Sequence, residues 1–356
     1  MRRVFIVGVG MTKIARHYNL GLRELFAEAA LKAIDEIGGE KPQAVVVGNM
    51  MSSSLQEQDS LGALLADYIG LRGAAALKVE AACGSGGAAF YTGYSIAASG
   101  LADIVLVSGV EKMTDYNTDK VTRALAQAAD AEYELFYGAS FVGLNALVMR
   151  YYMEKYGVSR EEMSSWPVLM HENGSQNSYA QLRFKISKEQ VAASQIIADP
   201  IRLLDSAPIG DGASAVVLAS EDYAKKLSDT PVEVAGIGLS IDSVDLASRF
   251  ELDDLYASRK ALEKASRMAG IPVKDIDVVE LHDAFTIMAV LSLEALGFAE
   301  KGKAAKMLDE GRFAPGDKPT VNPSGGLKSR GHPVGATGVY QIAEVCPLYT
   351  SPSPRD

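Results

Sequence analysis

Cysteine is scarce in this chain: 356 residues carry two, Cys83 and Cys346. Two thiols cannot build a disulfide framework, so a reducing compartment is the simpler reading, with the cytoplasm the expected location. Histidine is scarce too, with four in all, which keeps the list of candidate bases short. Positive charge is in deficit: 35 lysines and arginines stand against 45 acidic side chains, a formal net charge of −10. General nucleic-acid binding through a basic surface is thereby excluded, and any anion site must be local. No apolar run approaches the roughly 20 residues that a membrane helix needs. The N-terminal Met1-Arg2-Arg3 has the charge order of a signal peptide, but the apolar stretch after it is short and lacks a cleavage-type site. Neither a membrane span nor a leader is expected. A phosphate loop of the Gly-Lys-Ser/Thr type is missing, and Gly8-x-Gly10 has Lys13 where a dinucleotide fingerprint needs its third glycine.

What is present is a chain 48% hydrophobic and 22% charged, enough for one large core or two ordinary ones. Short β-branched runs alternate with helical patterns. Strands are expected over 4–9, 44–48 and 103–109, and helices over 20–37, 61–69 and from Cys83 onward. A related order recurs later, with strands over 232–241 and 276–281 and helices over 256–269 and 286–296. Alternation of this kind implies an α/β fold, and its recurrence suggests two similar halves. Between about 113 and 204 the alternation fades into polar and aromatic segments, read as an inserted loop or cap domain. Regular structure resumes at Asp205-Ser206-Ala207-Pro208 and the apolar run 214–219.

Cys83 lies in Ala81-Ala82-Cys83-Gly84-Ser85-Gly86-Gly87, between a strand end and a small-residue helix start. It is either a small buried hydrophobe or a nucleophile, whose thiolate the helix N-terminus would favour and whose glycines leave room for a ligand. His17 reads as a surface residue. His171 sits in the inserted region, either in a solvated loop or against ligand. His282, in Glu280-Leu281-His282-Asp283-Ala284-Phe285, ends an apolar strand, where open α/β sheets place their chemistry. Its alternative is a cap for the next helix, a part that Asp283 could equally take. His332 stands among so many glycines and prolines, Asn322-Pro323-Ser324-Gly325-Gly326 through Gly331-His332-Pro333-Val334-Gly335, that a tightly specified loop is expected. One cysteine with two constrained histidines makes a nucleophile-plus-base constellation.

These motifs together, with Ser206-Ala207-Pro208 leading into Asp211-Gly212-Ala213, resemble the thiolase superfamily across nearly the whole chain. The His-Asp pair at 282–283 is similar to the sterol-carrier-protein-type and archaeal acetyl-CoA acetyltransferases. The resemblance implies an α/β thiolase fold, two duplicated α/β halves in a five-layered αβαβα sandwich with an inserted loop domain. On that reading 1–219 is the N-terminal half, with its loop domain at about 113–204, and 232–344 is an incomplete C-terminal half. Residues 345–356 are then a non-family tail on a truncated chain, and Cys346 has no catalytic part.

The resemblance further implies that two acetyl-CoA molecules condense to acetoacetyl-CoA through an acyl thioester on Cys83, with His332 as base and His282 in an oxyanion hole. Ser206, Ala207 and His171 are the expected substrate-binding residues. Coenzyme A thioesters are substrates, and neither a resident cofactor nor a metal is expected. The base for the second acetyl-CoA stays open. A homodimer or tetramer is implied, as are a part in mevalonate and isoprenoid synthesis and a complex with hydroxymethylglutaryl-CoA synthase through an OB-fold zinc-binding protein. Alternatives are a degradative 3-ketoacyl-CoA thiolase, a ketoacyl synthase or hydroxymethylglutaryl-CoA synthase, and a non-catalytic thiolase-like scaffold. Retention of Cys83 speaks against the scaffold.

Overall fold

A computed structural model describes residues 2–350. Ten strands run in chain order: β1 Val4–Met11, β2 Ala44–Gly48, β3 Ala75–Val79, β4 Ile104–Glu111, β5 Ile196–Ala198, β6 Ile201–Arg202, β7 Gly212–Ser220, β8 Val232–Glu233, β9 Val278–Val279 and β10 Thr320–Val321. The chain divides into two compact units, one of residues 1–117, 209–235 and 333–356, the other of 118–208 and 236–332. Among the described residues, no helix is long and apolar enough to cross a membrane.

The first unit is built on one sheet, in the order β3-β2-β4-β7-β1-β8. β2 runs parallel to β3 and β4, while β7 lies antiparallel between β4 and β1. Every residue of β4 is buried, because each face of the sheet is covered by a helix. On one face Leu25, Phe26, Ala29 and Ala33 of the helix Leu22–Asp35 share a core with Val45, Val47, Leu106 and Val217. Each large side chain buried there contributes roughly 1.5–3 kcal/mol. Alternate residues point the other way. There the helix Ser85–Ser99 lies so close that a Cβ on Gly93 would meet Val107 at 2.3 Å.

Gly8-x-Gly10 has a packing role. A Cβ on Gly8 would fall 2.4 Å from the Ala33 carbonyl oxygen, and one on Gly10 would fall 2.1 Å from that of Ala29. The pair lets β1 approach a helix closely. The second unit repeats the device: Cβ atoms on Gly236 and Gly238 would fall 2.2 and 1.9 Å from the carbonyl oxygens of Ala265 and Ala261, in the helix Tyr256–Ala269. The two Gly-x-Gly pairs against two Ala-x-x-x-Ala pairs repeat at the level of residues what the element order suggested.

The later part of the chain departs from expectation in its strands. The strand expected over 232–241 is confined to Val232–Glu233, which pairs with β1 in the first unit's sheet, and that expected over 276–281 to Val278–Val279, paired in parallel with Thr320–Val321. Strand conformation persists only where a neighbour accepts its hydrogen bonds, and those ladders are two residues long. The region at 113–204 is largely helical, with helices Thr118–Ala126, Phe141–Tyr156 and Ser165–Gln176 among others. Ser140 accepts from the Gly143 amide at one end of the second of these, and Gly157 closes the other in the left-handed region. Trp166 and Met170 pack there with Ile287, Val290 and Leu293 of the helix Thr286–Ala295.

Residues 345–350, where the expected tail begins, lie in the helix Thr337–Thr350. The remainder of that tail, 351–356, lies outside the described residues.

Candidate active site

Cys83 follows β3 and precedes the helix Ser85–Ser99 by two residues. The residue before it, Ala82, has φ +49°, in the left-handed region that side chains with a Cβ rarely adopt. The sharp turn is closed by local bonds. Gly84 N–H donates to Ala81 O at 2.9 Å, Ser85 N–H to Ala82 O at 3.0 Å, and the Ser85 hydroxyl both accepts from Ala81 N–H and donates to Ala82 O. Gly86 and Gly87 complete the seat, since a Cβ on Gly338 would fall 2.4 Å from the Gly87 nitrogen. The starts of the helices Ser85–Ser99 and Thr337–Thr350 therefore meet glycine to glycine.

The helix start does not leave Cys83 as a resting thiolate. Burial first, and then the Glu111 and Glu80 carboxylates, push the thiol up to about 12, against its own backbone hydrogen bond. Desolvation of the anion outweighs the positive end of the helix. Were this sulfur to react, a base would have to take its proton.

In the second unit the two constrained histidines come together. The rings of His282 and His332 meet edge to face, with centroids 5.1 Å apart and planes at 82°. Burial and the Arg330 guanidinium lower His282 to about 4. Burial, His282 and Arg330 together hold His332 well below the ordinary histidine range. Both imidazoles are neutral at physiological pH, and each can accept a proton on one nitrogen while donating from the other.

Buried polar side chains brace this pair. Asn322, at φ +45°, accepts from Leu281 N–H at 2.5 Å and donates to Asp283 Oδ1 at 3.1 Å. Asp283 also accepts from Trp166 Nε1 at 3.0 Å and Leu327 N–H at 2.7 Å. Asp283 thus caps the short helix Gly326–Ser329 of the His332 loop, and not the helix that follows it in sequence. Burial raises its carboxyl to about 6 against those donors. Glu280 accepts from the Ser324 amide and hydroxyl at 3.1 and 2.8 Å. The two motif segments, 280–283 and 322–332, are thereby stitched into one polar cluster.

Ser206 and Ala207 run alongside. Ala207 N–H donates to Ala284 O at 2.9 Å, Ser206 bridges Phe285, and the Ser206 carbonyl accepts from Lys328 Nζ at 2.9 Å. Lys328 is buried, and desolvation lowers its ammonium to about 8. His171 belongs to neither cluster nor to a solvated loop. It is fully buried on the helix Ser165–Gln176, its Nδ1 2.8 Å from the Phe184 carbonyl and its ring against that of Phe184. Burial lowers it to about 4. Cys346 is buried in the helix Thr337–Thr350 and pushed up to about 12 by burial and by Glu36. Reading the sequence missed Asn322, Lys328 and Glu111 as site residues. The one local signal was polar side chains inside otherwise apolar or glycine-rich stretches.

The sequence matches the thiolase N-terminal domain family over residues 4–222 and the thiolase C-terminal domain-like family over 238–350. It is 43% identical to an acetyl-CoA acetyltransferase of Methanothermobacter thermautotrophicus, over 97% of this chain and 90% of that protein. It is 41% identical to an acetyl-CoA acetyltransferase of Methanocaldococcus jannaschii, over 97% and 89%. Its fold is similar to that of human mitochondrial 3-ketoacyl-CoA thiolase, with a TM-score of 0.76 at 19% identity, covering 97% of this chain and 92% of that one.

Proposed function

Because the chain belongs to the thiolase family, we propose that it is an acetyl-CoA acetyltransferase that condenses two acetyl-CoA molecules reversibly to acetoacetyl-CoA and free coenzyme A. The observation that carries this reading is the pair of archaeal relatives of that name, similar over nearly their whole length. In the first half-reaction His332 takes the Cys83 proton and the sulfur attacks the thioester carbon. The Cys83–acyl bond forms as the bond to coenzyme A breaks, and the coenzyme A thiolate leaves with the proton held by His332. In the second, a base takes a proton from the methyl carbon of another acetyl-CoA, that carbon attacks the acyl group on Cys83, and the proton is returned to the departing Cys83 sulfur. A carbon–carbon bond forms and the Cys83 sulfur leaves. His282 donates to the thioester oxygen of the enolate, where a preorganised neutral donor stabilises developing charge.

The electrostatics support this division. A thiol at about 12 needs a base in the reacting step, and a histidine held neutral is ready to serve as one. Ser206 and Ala207 would line the pantetheine arm, and coenzyme A thioesters are substrates with no resident cofactor or metal. His171 is proposed with them as a substrate-binding residue. The proposal extends to a homo-oligomer in the cytoplasm, to a place at the start of mevalonate and isoprenoid synthesis, and to association with hydroxymethylglutaryl-CoA synthase through an OB-fold zinc-binding protein. It extends also to the division of the chain into halves at 1–219 and 232–344. These extensions rest on the resemblance of motifs.

The test is incubation with acetyl-CoA and mass spectrometry of the Cys83 peptide, with Cys83→Ala as control. An acetyl adduct confined to Cys83 is expected. An unmodified Cys83 in folded protein would overturn the reading, and a thiolysis assay across acyl lengths separates acetoacetyl-CoA from the longer substrates of a degradative enzyme.

A further inference from the structure

β4 is apolar and buried along most of its length, yet it ends in a wholly buried carboxylate, Glu111. The reaction described above does not use it. Burying a carboxylate is costly unless its oxygens are satisfied, and here they are filled. Oε1 accepts from Asn49 Nδ2 at 2.9 Å and from Met51 N–H at 3.1 Å, and Oε2 accepts from Met50 N–H at 3.0 Å and from Gly335 N–H at 2.9 Å. Backbone amides supply most of these bonds, and they come from two places: the loop leaving β2, and the turn Val334–Ala336 that follows His332 in sequence.

Both places lie against the start of the Cys83 helix. A Cβ on Gly48, the last residue of β2, would fall 2.7 Å from Ser85 O and 2.8 Å from the Gly86 Cα. A Cβ on Gly86 would fall 3.0 Å from Gly335 O and 3.0 Å from the Gly338 nitrogen. Gly335 itself has no space, since its Cβ would meet Asn49 Cα and Glu111 Oε2, each at 2.6 Å. The contacts are backbone to backbone, so a shift of either segment moves the helix start with it.

We propose that Glu111 is the positioning residue of the Cys83 nucleophile: one buried carboxylate ties the loop after β2 and the turn Val334–Ala336 into a single frame on which the first turn of the Cys83 helix is seated. The proposal rests on the reading of Cys83 as the acylated residue. It adds a consequence for the thiol, because the Glu111 charge is among the groups that raise Cys83, second to burial, with Glu80 adding to it. Burial holds the Glu111 carboxyl up at about 7, against the amides of Met50, Gly335 and Met51 and the charge of Lys78.

Two readouts on folded full-length protein test this: the rate of Cys83 acylation by acetyl-CoA, and the pH profile of Cys83 alkylation by iodoacetamide across the alkaline range, both followed by mass spectrometry. Glu111→Asp keeps the charge and withdraws the oxygens by a methylene. It is expected to slow acylation on the order of tenfold to a hundredfold while leaving the alkylation midpoint in place. Glu111→Gln removes the charge and turns a donor toward backbone donors. It is expected to slow acylation at least as much and to move the alkylation midpoint to lower pH. A role confined to holding the fold would not separate the two variants in this way. Asn49→Ala, which deletes one donor, is the milder third variant, expected to slow acylation several-fold. Folded Glu111 variants acylated within twofold of wild type would overturn the proposal. If neither Glu111 variant folds, an Asn49→Ala protein acylated at the wild-type rate overturns it instead. Absence of the adduct in wild type would overturn the reading of Cys83 itself, so the two failures are distinct.

Discussion

The imidazole of His332 meets the ring of His282 edge to face, 5.1 Å between centroids, and both rings are held neutral by burial and by Arg330. A protonated pair at that spacing would repel in a poorly solvated site. The contact therefore suits one ring to accept a proton and the other to donate a hydrogen bond.

Separate roles predict separate kinetic lesions. His332→Ala should slow acylation of Cys83 by roughly 10²–10⁴-fold, the ordinary worth of a general base. His282→Ala should leave acylation within a few-fold and slow the condensation by about 10²–10³-fold, as loss of an oxyanion donor does. Single-turnover acylation by mass spectrometry and steady-state condensation read the two steps apart. Equal losses in both steps for both variants would count against this division.

His171 predicts an acid-side loss of stability. Its folded value of about 4 lies below the ordinary 6.5, so the unfolded chain binds the extra proton and stability falls as pH drops from about 6.5 toward 4. The full effect of this residue is on the order of 3 kcal/mol. His171→Asn, whose amide can still donate to the Phe184 carbonyl, should flatten that limb. Urea unfolding between those pH values measures it, and unchanged curvature in the variant would refute it.

Lys328 predicts the opposite flank. Its ammonium is lowered from 10.5 to about 8, so the unfolded chain holds more protons in that window and stability rises with pH through it. Lys328→Met should lose this alkaline gain and, by freeing the Ser206 carbonyl, raise the KM for acetyl-CoA several-fold more than it lowers kcat. Denaturation series at mildly and strongly alkaline pH supply the first readout, and initial rates the second. Parallel stability curves for variant and wild type would exclude the charge as the cause.

Close backbone approach predicts unequal glycines. Gly10→Ala and Gly238→Ala would press a Cβ to 2.1 and 1.9 Å from helix carbonyl oxygens. Overpacking of this kind should destabilise the protein by about 1–3 kcal/mol or more. Gly87→Ala meets nothing within 4 Å and lies inside a helix, so it should stabilise by about 0.5–1 kcal/mol. Chemical denaturation orders the three, and equal effects would contradict the packing described.

Much of this was legible in the chain, though unevenly. β2 and the helix Tyr256–Ala269 have the bounds their apolar periods predict. β3 was legible only as a strand end before Cys83, without bounds, because Ala75-Ala76-Leu77-Lys78-Val79 has a single β-branched residue, and its pairing with β2 compensates for weak propensity. Helices within 113–204 read as loop because several are short and bury only a few residues each. In the site, Cys83 and His332 stood out by residue type and neighbours. Asn322, Lys328 and Glu111 did not, because each acts on a partner far along the chain: Asn322 on Leu281, Lys328 on Ser206 and Glu111 on Asn49.

The type of chemistry was thus written locally. A lone thiol before a glycine-rich helix start and a histidine in a proline- and glycine-bound loop are short-range patterns, and they marked out the proposed nucleophile and base by residue type and neighbours. How those groups ionise was decided by packing. The helix start at Cys83 argues for a thiolate, yet burial together with Glu111 and Glu80 keeps the thiol protonated. The two histidines likewise become neutral only through burial, Arg330 and each other. Desolvation and Coulomb interactions depend on what surrounds a group in space, and segments remote in sequence provide those surroundings only once the chain has folded.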